Sequence, residues 1–249
     1  ALGLASSKNF LMLEEVSELE SVKPVMEELK DKWVDSLRSG NTGVGFTYET
    51  LLGIEENNIS GSDIGGCVEL KTKLVNSSCK ITAFCLSPIW EYPLRARTVL
   101  EEYGYQCDKD PNRTNLYVPM KLGRNESKTG RWVFDVSIED VEEARSLAIR
   151  DKQGKLIAST PLSVIRYKFR QKYNNLLLVR AEKRTKNRKV QCRGVSIRKV
   201  EELLVAGKLV TEFRMKLDRS TGKFKDHGTC FRASESSTLD LFDQVENIF

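Results

Sequence analysis

The sequence predicts an α/β (α+β) fold, a mixed sheet with flanking helices, on three observations. Several runs alternate apolar and polar residues at the strand period, other runs carry apolar residues at helical spacing, and the two kinds interleave without strict βαβ regularity. At 249 residues, 40% apolar and 30% charged, the chain is large enough to bury a sizeable core in one large domain or two small ones. No run approaches the ~20 unbroken apolar residues of a membrane span. The first residues lack the basic-then-apolar order of an export signal. The expectation is a cytoplasmic protein without a membrane partner.

The elements follow in order. Leu11 to Leu37 has the spacing of one or two helices, with Pro24 as the break. After a turn cluster over Ser39 to Thr42 comes a helix carrying Val44, Tyr48, Leu51 and Leu52, which Gly53 should stop. A polar loop (Glu55 to Gly61) leads to strands at Val68–Leu74 and Ile81–Leu86. A helix over Arg95–Tyr103 ends at Gly104, and short strands are expected at Leu116–Val118, Trp132–Val136, Leu147–Ile149 and Leu156–Ala158. Next come a helix (Leu162–Tyr173), a long basic hairpin with arms Leu176–Glu182 and Val190–Ile197, a strand (Leu209–Leu217) and a closing helix (Leu239–Ile248). The expected organisation is a helical segment over 1–38 and a main domain over 39–249. Within that domain, chemistry is expected at about 39–105 and ligand reading at about 160–249.

Six cysteines are present, and none forms the C-x-x-C pair of a zinc site. The expectation is that they are reduced thiols packed as small apolar groups. With a single histidine, His227, no scheme that needs two imidazoles is available. The net charge of +5 hides a segment from Arg166 to Lys199 with thirteen bases and one acid, Glu182. Such a segment suits a polyanion, since neutralised phosphates release condensed counterions. A solvated hairpin and helix face would look the same.

The informative stretch is Gly61-Ser-Asp-Ile-Gly-Gly-Cys-Val-Glu-Leu-Lys-Thr-Lys73. Alternation along a strand sends Glu69, Lys71 and Lys73 to one face and Val68, Leu70, Thr72 and Leu74 to the other, apolar one. Asp63 precedes a Gly65-Gly66 turn able to swing its carboxylate back towards Glu69. Mg²⁺ takes hard oxygen ligands and keeps several waters. Asp63, Glu69 and the backbone carbonyl next to it, at Leu70, are a candidate ligand set. Lys71 is the candidate for orienting an attacking water and offsetting charge on a phosphorane-like transition state. Glu49, on the preceding helix, is a candidate for a further carboxylate in the metal shell. D…E-x-K alone is common in surface ion pairs; the string around it is what singles it out.

Thr42-Gly-Val-Gly-Phe-Thr-Tyr-Glu-Thr-Leu-Leu-Gly53, followed by Glu55-Glu-Asn-Asn58 and by the D…E-x-K run, resembles the MvaI/BcnI family of restriction endonucleases and, more distantly, the mismatch-repair nickase MutH. Lys225-Asp-His-Gly-Thr-Cys-Phe-Arg232, Thr211-Glu-Phe-Arg-Met215 and Thr82-Ala-Phe-Cys-Leu-Ser-Pro88 are similar to further family segments, so the likeness spans Asn41 to the C-terminus. One spacing departs from the pattern. Asp63 lies one residue further from Glu69 than in that family, a difference the glycine pair can absorb.

The resemblance implies a restriction-endonuclease-like mixed-sheet core with a hairpin-rich DNA-recognition part. It implies a Mg²⁺-dependent Type II enzyme that cuts double-stranded DNA at a CCNGG-like site, acts as a monomer and is paired with a DNA methyltransferase for the same site. Its setting would be a prokaryotic cytoplasm, at the nucleoid. Glu212 and Arg214 suit cytosine N4 and guanine O6/N7. Lys225, Asp226, His227 and Arg232 fall in the DNA-contacting segment. Cys85 and Cys230 stand where BcnI-like enzymes carry histidines near the central base pair, which turns the expectation towards CCWGG. A methylation-sensing nickase and an inert DNA-binding module of a larger protein remain the alternative readings.

Overall fold

The computed structural model describes residues 20–30, 32–39, 42–55, 61–127, 130–182, 188–195 and 197–247. The expected helix upstream of residue 20, most of the loop over 56–60 and the tip of the basic hairpin at 183–187 lie outside them. The fold is mixed α+β, and the chain folds into two compact units. One is built from described residues of Ala1–Cys79, Lys168–Ser196 and Leu239–Phe249, the other from Lys80–Tyr167 and Ile197–Thr238.

The first unit holds a four-stranded sheet in the order β1 (Val68–Leu74), β10 (Asn175–Ala181), β11 (Arg188–Val195), β14 (Phe242–Asn247). β1 runs parallel to β10 and the other pairs are antiparallel. β10 is buried on both faces, which is why it reads as the unbroken run Leu176-Leu-Leu-Val179 rather than as an alternation. Over one face lie α1 (residues 20–29) and α2 (Gly43–Leu51). Val22, Met26, Leu29 and Tyr48 form a core there with Val68, Leu70, Leu177 and Val179.

Two expectations are corrected here. α1 runs straight through Pro24 and stops before residue 32 instead of continuing to Leu37. A proline costs a helix ~3 kcal/mol, and burying Val22, Met26 and Leu29 at helical spacing returns ~1.5–3 kcal/mol each. The closing helix expected over Leu239–Ile248 is instead a short helix, α6 (Glu235–Leu239), followed by the strand β14. β14 caps the exposed edge of β11 with ladder pairs from Val190↔Asn247 to Val195↔Phe242. That long-range pairing outweighs a weak local helical pattern.

The second unit holds two five-stranded antiparallel sheets. The first has the order β2 (Ile81–Leu86), β13 (Phe224–Ala233), β12 (Leu209–Asp218), β5 (Asp110–Met120), β4 (Tyr105–Cys107). The second has β3 (Ile89–Trp90), β9 (Leu156–Pro161), β8 (Ala144–Asp151), β7 (Val133–Val141), β6 (Gly123–Glu126). Aromatic rings join them. Phe213 of β12 meets Trp90 at 5.6 Å and Phe134 of β7 edge-on at 5.8 Å. Tyr103, at the end of α3 (Ala96–Tyr103), packs on Phe134. α5 (Ile197–Val205), which the sequence reading left unassigned, is tied by Glu201 to Arg166 of α4 (Leu162–Lys172). Lys225–Gly228, whose Lys-Asp-His-Gly composition suits a loop, lies inside β13, a full strand with a bulge.

Candidate active site and the DNA-reading strands

The carboxylates of the D…E-x-K run are brought together by a miniature hairpin. Ser62 bridges Gly66 and Ile64 bridges Val68, and the turn is made by Gly65 (φ +54°) and Gly66 (φ +72°), a backbone conformation that glycine adopts without strain. The turn folds Asp63 back along β1, where its Oδ2 accepts the Leu70 N–H at 2.9 Å. Asp63 thus lies beside the strand residue that follows Glu69.

Glu69 is completely buried. Its Oε1 accepts from Lys71 Nζ and lies 3.5 Å from Lys172 Nζ. Its Oε2 is buried with no hydrogen-bond donor. Burial pushes the Glu69 carboxyl above its usual range, Asp63 adds to the rise, and Lys71 and Lys172 oppose it. Lys73, on the same strand face, is engaged elsewhere, because its ammonium donates to the carbonyls of Ser77 (2.6 Å) and Cys79. Lys73 holds the turn after β1. Lys73→Met is expected to lower stability by about 1–3 kcal/mol while leaving single-turnover activity per folded molecule within about twofold. Denaturant titration beside a cleavage assay checks both.

Glu49 is placed differently. It rides on α2, whose apolar contacts are with the Val68/Leu70 face of β1. Its Oε1 and Thr72 Oγ1 both border the space that a Cβ on Gly45 would fill, at 3.8 and 3.3 Å. Lys71, Asp63 and Lys172 are among the charges that act on the Glu69 carboxyl.

The residues that sequence reasoning missed are Lys172, the last residue of α4, and Tyr173 just after it. In the sequence Lys172 is one base of a basic stretch and Tyr173 only a helix end. Because β1 and β10 are parallel, with Val68 opposite Asn175, the end of α4 arrives beside the start of β1. Ser62 Oγ donates to the carbonyls of Gln171 (3.2 Å) and Lys172 (3.3 Å). Tyr173 is fully buried with an unpartnered hydroxyl. Burial first, then Glu69 and Asp63, raise its pKa well above the ordinary value. No local pattern connects residues so far apart; only the strand pairing does.

The donor set fits a hard divalent cation. It offers two carboxylates, and one oxygen, Glu69 Oε2, is buried without a partner. Among the described residues no group of three or more His, Cys, Asp or Glu side chains forms a cage. Two carboxylates completed by a carbonyl and water is the pattern of an ion that stays hydrated.

The second candidate group lies on the β12–β13–β2 sheet of the other unit. Glu212 pairs across to Cys230, and Cys230 to Cys85. Those two cysteines form a disulfide. This corrects the expectation of reduced thiols, and the reason is register. Directly opposed residues on adjacent antiparallel strands come within reach, and here the Cα atoms are 4.0 Å apart. Cys67, Cys79 and Cys107 are not disulfide-bonded, and the Cys192 side chain lies outside the described set. Replacing both Cys85 and Cys230 by serine is expected to lower stability by about 2–4 kcal/mol. Denaturation with and without reductant, beside non-reducing peptide mapping, tests this.

Arg232 Nη1 donates to Glu212 Oε2 at 2.5 Å and Nη2 to the Lys80 carbonyl at 3.0 Å. The arginine therefore fixes the Glu212 carboxylate. Arg214 stands over the Tyr117 ring, its Cζ 5.7 Å from the centroid. The ladder slips between Phe213 and Met215, opposite the segment Asp226-His227-Gly228. Gly228 has φ +77°, and a Cβ there would strike the Leu86 carbonyl at 2.7 Å. Asp226 Oδ1 accepts the Gly228 N–H at 2.7 Å. His227 and Lys225 are exposed. Burial, followed by Lys225, Arg214 and Lys216, holds the imidazole below its usual pKa.

A sheet-borne carboxylate pair with an adjoining lysine, in a chain that also carries a strand with basic side chains, is the equipment of a phosphodiester hydrolase acting on nucleic acid. The comparisons with known proteins narrow this. A model of the MvaI/BcnI restriction endonuclease family matches residues 25–242. Among solved structures, the chain is similar to restriction endonuclease MvaI in complex with its cognate DNA substrate. Identity is 21%, coverage is 92% of this chain and 96% of that one, and the TM-score is 0.73. It is also similar to MvaI in the absence of DNA, at 19% identity, 93% and 98% coverage, and a TM-score of 0.53. No curated protein matches. The chain belongs to the MvaI/BcnI restriction endonuclease family and is a Type II site-specific deoxyribonuclease. Enzymes of this kind generally use divalent metal ions. Among the described residues no helix is long and apolar enough to cross a membrane.

Proposed function

We propose that this endonuclease uses Mg²⁺ to hydrolyse double-stranded DNA at a CCNGG-like, CCWGG-type site, with Asp63, Glu69 and Lys71 at the reacting phosphate. The observation that carries the reading is the Gly65-Gly66 hairpin, which returns the Asp63 carboxylate to the strand bearing Glu69 and Lys71. Asp63, Glu69 and the Leu70 carbonyl hold the ion, which supplies Lewis-acid stabilisation of charge on the phosphate oxygens. Glu69 is suited to this because its second oxygen has no other donor. Lys71 orients the attacking water and offsets the charge that grows on the phosphorane. Glu49, on α2, offers a further carboxylate to the metal shell.

On the reading side, Glu212 accepts from a cytosine N4 amino group, and Arg232 keeps its carboxylate aimed. Arg214, held over Tyr117, grips guanine. Lys225, Asp226 and His227 line the same bulged strand and contact the DNA alongside. The Cys85–Cys230 bridge occupies the neighbouring position, where no side chain remains to read the central pair by hydrogen bonds, which favours W over S there. The enzyme acts as a monomer, with a DNA methyltransferase guarding the same site. Its setting is a prokaryotic cytoplasm, at the nucleoid, where its DNA substrate lies.

Digestion of unmethylated phage-sized DNA, in Mg²⁺ and then in EDTA, with sequencing of the fragment ends, tests the proposal. Discrete Mg²⁺-dependent fragments sharing CC(A/T)GG ends support it. Nicks confined to one strand of hemimethylated DNA would point to the nickase alternative, and binding without cleavage in any divalent ion to the inert one.

A further inference from the structure

We propose that Lys172 is a second catalytic lysine, delivered by α4, whose ammonium contacts a non-bridging oxygen of the scissile phosphate. The proposal rests on the reading of Asp63, Glu69 and Lys71 as the nuclease centre. Three features carry it. Lys71 and Lys172 both approach the same oxygen, Glu69 Oε1, but Lys71 donates a hydrogen bond while Lys172 stands off at 3.5 Å. Lys71 holds the hydrogen bond to Glu69, so Lys172, at the longer distance, is the ammonium placed to turn to an incoming anion. It is also open to such an anion, with 19% of its side chain exposed against 0% for Glu69.

The position of Lys172 is built by neutral contacts. Ser62, next to Asp63, bonds the backbone carbonyls of Gln171 and Lys172. Asn175 Nδ2 reaches the Cys67 carbonyl at 3.5 Å. The end of α4 is thus stitched to the hairpin that carries Asp63, and Lys172 would remain beside the site if its charge were removed.

The local charge also asks for an anion. One helical turn before Lys172, Lys168 donates to Gln171 Oε1 at 2.9 Å and acts electrostatically on Glu69. Three ammonium groups, on Lys71, Lys168 and Lys172, face two carboxylates, on Asp63 and Glu69. A phosphodiester carries one negative charge and gains a second on its non-bridging oxygens at the transition state. A positioned ammonium is worth most where that charge develops. Lysine suits the role because its flexible stem turns a compact point charge from one oxygen to another.

The test uses Lys172→Met, which keeps the stem, and Lys172→Arg, which keeps the charge. Single-turnover cleavage by Lys172→Met is expected to fall by about 10²-fold, with DNA affinity in Ca²⁺ unchanged within about threefold and the thermal transition unmoved. Lys172→Arg is expected to recover at least about tenfold of that loss. A stereodefined phosphorothioate at the scissile position supplies a readout beyond activity. One of its two diastereomers is penalised in the parent enzyme and loses about tenfold of that penalty in Lys172→Met. Cleavage by Lys172→Met within threefold of the parent would overturn the proposal. So would unchanged penalties for both diastereomers, which would leave Lys172 as a structural partner of Glu69. Glu69→Ala, run in parallel, separates the two levels: an active Glu69→Ala would mean that the nuclease centre itself is misassigned.

Discussion

Glu69→Gln is expected to abolish cleavage, by about 10³-fold or more, and yet to leave the metal-free protein at neutral pH at least as stable as the parent. Glu69 is fully buried, and one of its oxygens has no donor. Burial raises its pKa despite Lys71 and Lys172. A raised carboxyl pKa means that the fold favours the protonated form. Its stability cost is therefore absent below the unfolded value of 4.5, grows as pH rises from there to the raised folded value, and is complete above it. Glutamine removes that cost. The ammonium groups it would leave unpaired are partly exposed, at 26% and 19%, and stay hydrated. Denaturation of parent and variant at pH 7 and pH 4 should show the variant's advantage at pH 7 and its disappearance at pH 4. A variant clearly less stable at pH 7 would mean that Glu69 is retained for the fold and not for chemistry.

Lys71→Ala is expected to slow cleavage by about 10²–10⁴-fold with binding of specific DNA nearly intact. Lys71 makes the closest contact with Glu69 and is the largest influence opposing the rise in its pKa. Removing it drives Glu69 further towards the protonated form, which cannot hold a cation. The divalent-ion concentration needed for half-maximal residual activity should therefore rise, and rise more steeply as pH falls than in the parent. Activity against Mg²⁺ and Mn²⁺ concentration at several pH values measures this. Equal loss of binding and cleavage would instead indicate misfolding. The comparison with Lys73→Met is informative, since the two lysines share one strand face and differ only in what they touch.

The catalytic strand was legible because its information is local. Period-two alternation places Glu69 and Lys71 together on a half-buried strand, and two adjacent glycines announce a turn that can reverse Asp63 within a few residues. β1, β2 and α2 were legible for the same reason, since each carries a clean local pattern and α2 ends at Gly53 (φ +73°). β13 was not. Its Lys-Asp-His-Gly segment has the composition of a loop, and it is held as a strand by pairing with β12 on one side and β2 on the other.

Mixed architecture, the D…E-x-K strand and the family likeness were available from the order of residues alone, because each depends on neighbours within about a dozen positions. Which lysine serves Glu69, which one props a turn, and that α4 supplies another depended on distant segments meeting. The parallel β1–β10 pairing brings Lys172 to Glu69. The β2–β13 register turns two cysteines, expected as reduced thiols, into a bridge beside Glu212. The β11–β14 ladder makes a strand of a segment that reads as a helix. Contacts of this kind carry no periodic trace in either partner, because the hydrogen bonds and burial that decide them arise only when the sheet assembles.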